Sequence, residues 1–173
     1  SFKAEINDLK DVIMHFAKLY SCISLCGHSL GGLIAMIVAK DLPVCCTVSL
    51  SSPLHIKEDS LFALGGCKDE SCIKFSSKYL WKECYLPFSF IKELDEIRPE
   101  QAIRGLKNHL VIHGKLDRVV DVDDARQIFG LLGEPKRMVF VDYLKHYYKD
   151  ELAVKTVKRE ILNHLENSRA NYQ

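Results

Sequence analysis

The sequence predicts an α/β fold, a parallel β-sheet with helices on both faces. Three observations carry that expectation. Short and largely apolar runs at Cys22–Cys26, Val44–Leu50, Leu110–His113 and Met138–Val141 suit strands buried on both faces. Between them lie stretches with apolar residues at three- and four-residue steps, the spacing of amphipathic helices. Strand and helix alternate along the chain, which is the order of a parallel sheet built with right-handed crossovers.

In chain order, Phe2, Ile6, Leu9, Val12, Ile13, Phe16, Leu19 and Tyr20 form one apolar stripe, so residues 3–20 read as a helix with Asp8 and Asp11 on its outer face. The strand Cys22–Cys26 follows. Gly27 to Gly32 then makes a sharp turn, and Leu33–Lys40 is rich in helix formers. The second strand, Val44–Leu50, ends at Ser51-Ser52-Pro53, and the third, Leu110–His113, ends at Gly114. Asp123–Leu132 reads as a helix stopped by Gly133 and Pro135. Met138–Val141 is the fourth strand, and Lys149–Glu166 the closing amphipathic helix. Residues 54–105 are too long for a plain crossover. Their aromatic density (Phe62, Tyr79, Trp81, Tyr85, Phe88 and Phe90) predicts a small helical insertion packed over the rest of a single domain spanning residues 1–173.

Composition narrows the function. The 173 residues carry 24 Lys+Arg against 23 Asp+Glu, a formal charge of +1. That balance offers no basic field for nucleic acid. Nothing approaches the roughly 18 unbroken apolar residues of a membrane span, and the first residues read as a charged helix rather than a signal peptide. Of seven cysteines, Cys22, Cys26, Cys45 and Cys46 lie in or beside apolar runs, where a thiol acts as a small hydrophobe. Cys67, Cys72 and Cys84 sit in a more polar stretch. They lack the paired C-x-x-C spacing of a zinc site, and free thiols are the favoured reading over a metal or a Cys67–Cys72 disulfide. An odd count without a signal points to a reducing compartment, the cytoplasm, and no metal or cofactor is expected.

Gly27-x-Ser29-x-Gly31 directly follows a strand and opens a helix. In a nucleophile elbow the serine is strained and backbone approaches closely on either side, so glycines two residues away provide room. A serine hydroxyl needs a base to take its proton, and the base needs an acid to hold its tautomer. On a parallel sheet these partners belong just past the carboxyl ends of later strands. Asp117 follows the Leu110–His113 strand, and His146 follows Met138–Val141 and precedes the last helix. Asp121, Asp123 and Asp124 compete for the acid, but Asp123 or Asp124 is better placed to cap the next helix. His28, His55 and His109 also compete for the base. His113 reads as a core or supporting histidine, and His15 and His164 as helical residues near solvent. The structural alternatives are a helix-capping Ser29, a turn-forming Asp117 and a surface-loop His146.

These residues resemble the α/β-hydrolase family. Gly27-His28-Ser29-Leu30-Gly31-Gly32 is similar to the elbow of its lipase, esterase and serine aminopeptidase branches. The stretch from Leu110 to Val120 resembles the family's acid loop, and His146 stands where the family's base belongs. Within the family the likeness is to the monoacylglycerol lipase and lysophospholipase-like group. The resemblance implies an α/β-hydrolase fold with residues 54–105 as its cap. It also implies Ser29, Asp117 and His146 as a catalytic triad, and the Leu30 backbone N–H as one oxyanion donor. Family members carry further strands ahead of the helix that opens this sequence, so the chain corresponds to the C-terminal half of that fold. A fragment of a longer product is the favoured expectation, over a separately encoded first half or a minimal self-associating protein. The strand Cys22–Cys26 would then lie at a sheet edge, where a second copy or the missing half could pair.

The leading functional expectation is a serine hydrolase cleaving a carboxylic ester or related acyl bond of a small apolar substrate through an acyl-enzyme. The alternative is a non-catalytic domain of the same fold with an incomplete oxyanion hole, binding a ligand or partner.

Overall fold

The structure, a computed structural model, describes residues 1–56, 66–68, 71–77 and 82–170, apart from the side chains of residues 66–68, 75–77 and 82–84. Four parallel strands form the main sheet: β1 (Ser24–His28), β2 (Cys46–Leu50), β6 (His109–Gly114) and β7 (Lys136–Val141). Their spatial order is β1-β2-β6-β7, which puts β1 at an edge of this sheet among the described residues.

Alternation within β6 shows how both faces fill. Val111 enters one apolar cluster, with Phe2, Ile6 and Ile13 of α1 (Phe2–Phe16), Leu33 and Met36 of α2 (Leu30–Ala39), and Ile128. Its neighbours Leu110 and Ile112 enter the other, with Val48, Val141, Ala153 and Val157. Strand side chains alternate with period two, so a strand with three successive apolar residues, Leu110, Val111 and Ile112, must be covered on both faces. α2 is the most apolar helix among the described residues, with seven of its ten residues buried. A helix that is apolar nearly all round must lie inside, here between the sheet and α1.

The expected α1 ran to residue 20, but the helix stops at Phe16 and its stripe is only partly used. Val12, Phe16, Leu19 and Tyr20 are exposed, at 50%, 44%, 65% and 60%. These residues lead into β1, and Phe16 and Tyr20 meet each other at 6.1 Å between ring centroids while staying largely in solvent.

Between β2 and β6, where a helical insertion is expected at 54–105, the described residues form strands as well as helices. They include an antiparallel sheet of β3 (Gly66–Lys68), β4 (Cys72–Ser77) and β5 (Lys82–Pro87), followed by α3 (Phe88–Ile97) and α4 (Pro99–Ala102). Alternation over short runs such as Cys72–Ser77 suits a strand, and aromatic count alone does not reveal that period. Phe90 of α3 meets Phe2 edge-on at 5.4 Å between ring centroids, which ties the insertion to α1. The expected aromatics Phe62, Tyr79 and Trp81 lie outside the described residues.

The chain closes with α5 (Val122–Leu131) and α6 (Glu151–Ala170). α5 is capped by Asp121, whose carboxylate accepts the Asp123 N–H at 2.9 Å. This corrects the expected cap at Asp123 or Asp124: the extended residue just outside the helix can offer its side chain, whereas those two already sit in the first turn.

Candidate active site

β1 ends at His28 and α2 begins at Leu30, so Ser29 alone makes the turn, at φ 54° and ψ −129°. A non-glycine residue rarely adopts positive φ, and such a conformation costs about 1–3 kcal/mol, so its surroundings must hold it. The Ser29 N–H donates to the Leu50 carbonyl at 2.8 Å, and the Ser29 carbonyl accepts from the Gly32 N–H at 3.0 Å. Neighbouring glycines allow the approach. A Cβ on Gly27 would lie 2.6 Å from Gly32 Cα, and one on Gly32 would lie 2.8 Å from the Gly27 carbonyl and run into Ser52 Oγ. Gly31, expected to provide room, would meet nothing within 4 Å, so that need falls one residue later. Leu30 opens α2, where first-turn N–H groups have no intrahelical acceptor.

Asp117 divides its carboxylate between two tasks. Oδ1 accepts the N–H groups of Val119 and Val120 at 2.9 and 3.0 Å, which shapes the turn. Oδ2 accepts from His146 Nδ1 at 2.9 Å. The turn-forming role and the pairing with histidine therefore coexist. Burial pushes the Asp117 pKa up, but the hydrogen bonds from His146, Val120 and Val119 outweigh it and hold the carboxyl below its ordinary value.

His146 sits in the stretch 142–150, which has no regular structure, and is only 4% exposed. That loop is fitted to the Asp117 loop through backbone. The Lys115 and Leu116 N–H groups donate to the Val141 and Leu144 carbonyls at 3.0 and 3.1 Å. Gly114 makes the fit possible, since a Cβ there would stand 2.7 Å from the Leu144 carbonyl carbon and 2.9 Å from its Cβ. Ser29, Asp117 and His146 follow β1, β6 and β7, so parallel strands deliver all three to one end of the sheet.

The other histidines have different surroundings. His113 is buried behind the pair, donating from Nε2 to the Val120 carbonyl at 3.1 Å and lying 3.7 Å from Asp117 Oδ2. His109 is sealed between Thr47 and Ser49, which occupy its two ring nitrogens, and burial lowers its pKa to about 3. His164, expected near solvent, is buried with Nε2 against the Asn108 carbonyl at 3.3 Å. Its face of α6 packs on the sheet because Ala153 and Val157 anchor that side. His15 is exposed as expected, and His55 pairs with Glu100 at 2.7 Å.

Two residues near the pair had no sequence signal. Tyr148 places its hydroxyl 3.4 Å from Ser51 Oγ, and burial raises its pKa to about 12. Ser51, at φ 47°, hands its N–H to the Ile112 carbonyl at 2.8 Å. A cavity of about 470 Å³ opens beside His146, lined by Leu116, Arg118, Val119, Lys145, His146 and Tyr147. Among the described residues no three His, Cys, Asp or Glu side chains cluster to hold a metal, and no helix is long and apolar enough to cross a membrane.

No protein-family model matches the sequence, and no curated protein sequence matches it. Solved structures do match. The chain superposes on a monoacylglycerol lipase from Paleococcus ferrophilus with a TM-score of 0.75 at 15% identity, covering 97% of this chain and 76% of that one. It matches the esterase domain of a Rhodothermus marinus protein with a TM-score of 0.70 at 21% identity, covering 95% and 68%. It matches the α/β hydrolase GrgF from a Penicillium species with a TM-score of 0.76 at 13% identity, covering 98% and 73%. The chain therefore has an α/β-hydrolase fold.

Proposed function

We propose that the protein is a serine hydrolase that cleaves a carboxylic ester or related acyl bond of a small, largely apolar substrate. The observation that carries this reading is the strained Ser29 turn at the same sheet end as the 2.9 Å pairing of His146 with a buried Asp117. A fold alone hosts many functions, and the site must supply the argument.

In this reading Ser29 Oγ attacks the substrate carbonyl while His146 Nε2 takes its proton. Asp117 keeps the Nδ1 proton in place, so Nε2 is the free acceptor, and its negative charge stabilises the imidazolium. The Leu30 N–H, at the positive end of α2, binds part of the oxyanion. His146 then returns the proton to the leaving alcohol, and water enters to hydrolyse the acyl-Ser29 ester by the reverse transfers. Leu116, Val119 and Tyr147 offer an apolar wall beside His146, which supports an apolar substrate group. The likeness to an esterase domain and a monoacylglycerol lipase supports the same class and a lipase-like branch. The chain acts as one domain, with 54–105 as its insertion, and needs no metal or organic cofactor. Free thiols at Cys22, Cys26, Cys45, Cys46 and Cys72 fit action in a reducing compartment such as the cytoplasm.

The test is turnover of short-chain esters by the parent chain and by Ser29→Ala, since removing such a nucleophile costs on the order of 10⁶ in kcat. Equal rates in the two proteins would end the proposal. A second reading, a non-catalytic binding domain, is favoured by one observation: among the described residues β1 lies at the sheet edge, and Phe16, Leu19 and Tyr20, which precede it in sequence, are exposed. An open edge of this kind invites pairing by a second copy or by a separate N-terminal half.

A further inference from the structure

Asp117 fixes the ring of His146, and Gly114 and Leu116 fix its loop, but all three belong to the β6 side of the sheet. Ser29 rides on β1, and β2 intervenes between β1 and β6. Something must set the His146 loop against the elbow strand, because a base misplaced by an ångström loses much of its effect. His28 makes that connection. It is the last residue of β1, one position before Ser29, and its Nε2–H donates to the backbone carbonyl of His146 at 2.9 Å. Its ring lies 4.8 Å from the His146 ring and meets Tyr148 edge-on at 5.2 Å. Tyr148 in turn reaches Ser51, at the end of β2.

We infer that His28 is a positioning residue: through its hydrogen bond to the His146 backbone it sets the distance between Ser29 and His146. The inference rests on the hydrolase reading for its catalytic consequence, though the anchor itself is structural. His28 keeps part of its surface in solvent, yet partial burial and the neighbouring His146 hold its pKa below the ordinary value. It therefore stays neutral at physiological pH, with one ring proton, and that proton is committed to the carbonyl. Among the described residues, the charged groups lining the cavities beside this loop are Arg118, Lys145, Lys149 and Asp150. Asp117 lies behind His146, while Lys145 and Lys149 extend from the loop toward the cavities on its outer side.

Two variants separate the hydrogen bond from the ring. His28→Phe keeps an aromatic ring and removes the donor, whereas His28→Gln keeps a donor of similar reach and removes the ring. On a soluble p-nitrophenyl ester, His28→Phe should lower kcat by about 10–100-fold with KM changed by less than about threefold, and His28→Gln should recover most of the rate. Parent-like rates in His28→Phe, or equal losses in both variants, would overturn the inference. Amide hydrogen exchange reads the anchor without turnover: residues 145–149 should exchange at least about tenfold faster in His28→Phe while β6 and β7 stay protected. Unchanged exchange there would overturn the inference too. A parent chain that turns over no ester but shows the faster exchange in His28→Phe would sink the hydrolase reading and leave the anchor standing.

Discussion

His146 Nδ1 donates to Asp117 Oδ2 over 2.9 Å, with the two side chains 5% and 0% exposed. A buried carboxylate without its partners is costly, so this contact orders both loops as well as holding the imidazole tautomer. Asp117→Asn keeps the size of the side chain but offers an amide where the acceptor was. We expect kcat for an ester to fall by about 10⁴-fold, as expected when the base is held in the wrong tautomer. Steady-state turnover checks this, with a thermal melt to show that the variant is folded.

The pH dependence of stability should carry the mark of His109. Its pKa falls to about 3 through burial, against about 6.5 in an unfolded chain. Between those values the unfolded chain binds a proton that the native one refuses. Stability should therefore fall as pH drops from about 6.5 toward 3, by at most about 1.4 kcal/mol per pH unit from this group. His109→Gln, which can still hydrogen-bond Thr47 and Ser49, should flatten that fall. Urea midpoints at several pH values in both proteins decide it, and parallel curves would contradict it.

The elbow glycines should not be equivalent. Gly27→Ala forces backbone apart, so we expect a loss of about 1–3 kcal/mol and of activity. Gly31→Ala meets open space in a helix and should be neutral or stabilising by up to about 1 kcal/mol. Urea denaturation and ester turnover on the pair provide the check.

The exposed apolar stripe that precedes β1 in sequence should make the chain self-associate. Light-scattering mass should rise with concentration in the parent and stay monomeric in a Leu19→Lys, Tyr20→Lys double variant, because charge there breaks the exposed apolar patch. A parent that stays monomeric throughout would contradict self-pairing and leave the edge to a separate strand.

Much of this architecture was legible because its signals are local. The run Leu110–Ile112 is apolar at three successive positions, as a doubly covered strand requires, and β6 is covered on both faces. Gly27 and Ser29 announced a strand–helix turn because close approach and strain restrict which residues can stand there. Other features depend on partners distant in sequence. Nothing near His164 says that Asn108 waits 56 residues away, and nothing near Tyr148 names Ser51. The Val12–Tyr20 stripe was readable as apolar, but whether it is buried depends on what packs against it. The strands β3, β4 and β5 within residues 54–105 were not legible, because aromatic content reports burial and leaves the backbone period unspecified.

The most direct test of the central claim is mass spectrometry after exposure to a fluorophosphonate, on the parent chain and on Ser29→Ala. One adduct is expected, confined to Ser29 and absent from the variant, because only an activated serine reacts. A folded parent chain that takes no label, or takes it elsewhere, would contradict the assignment of Ser29 as nucleophile.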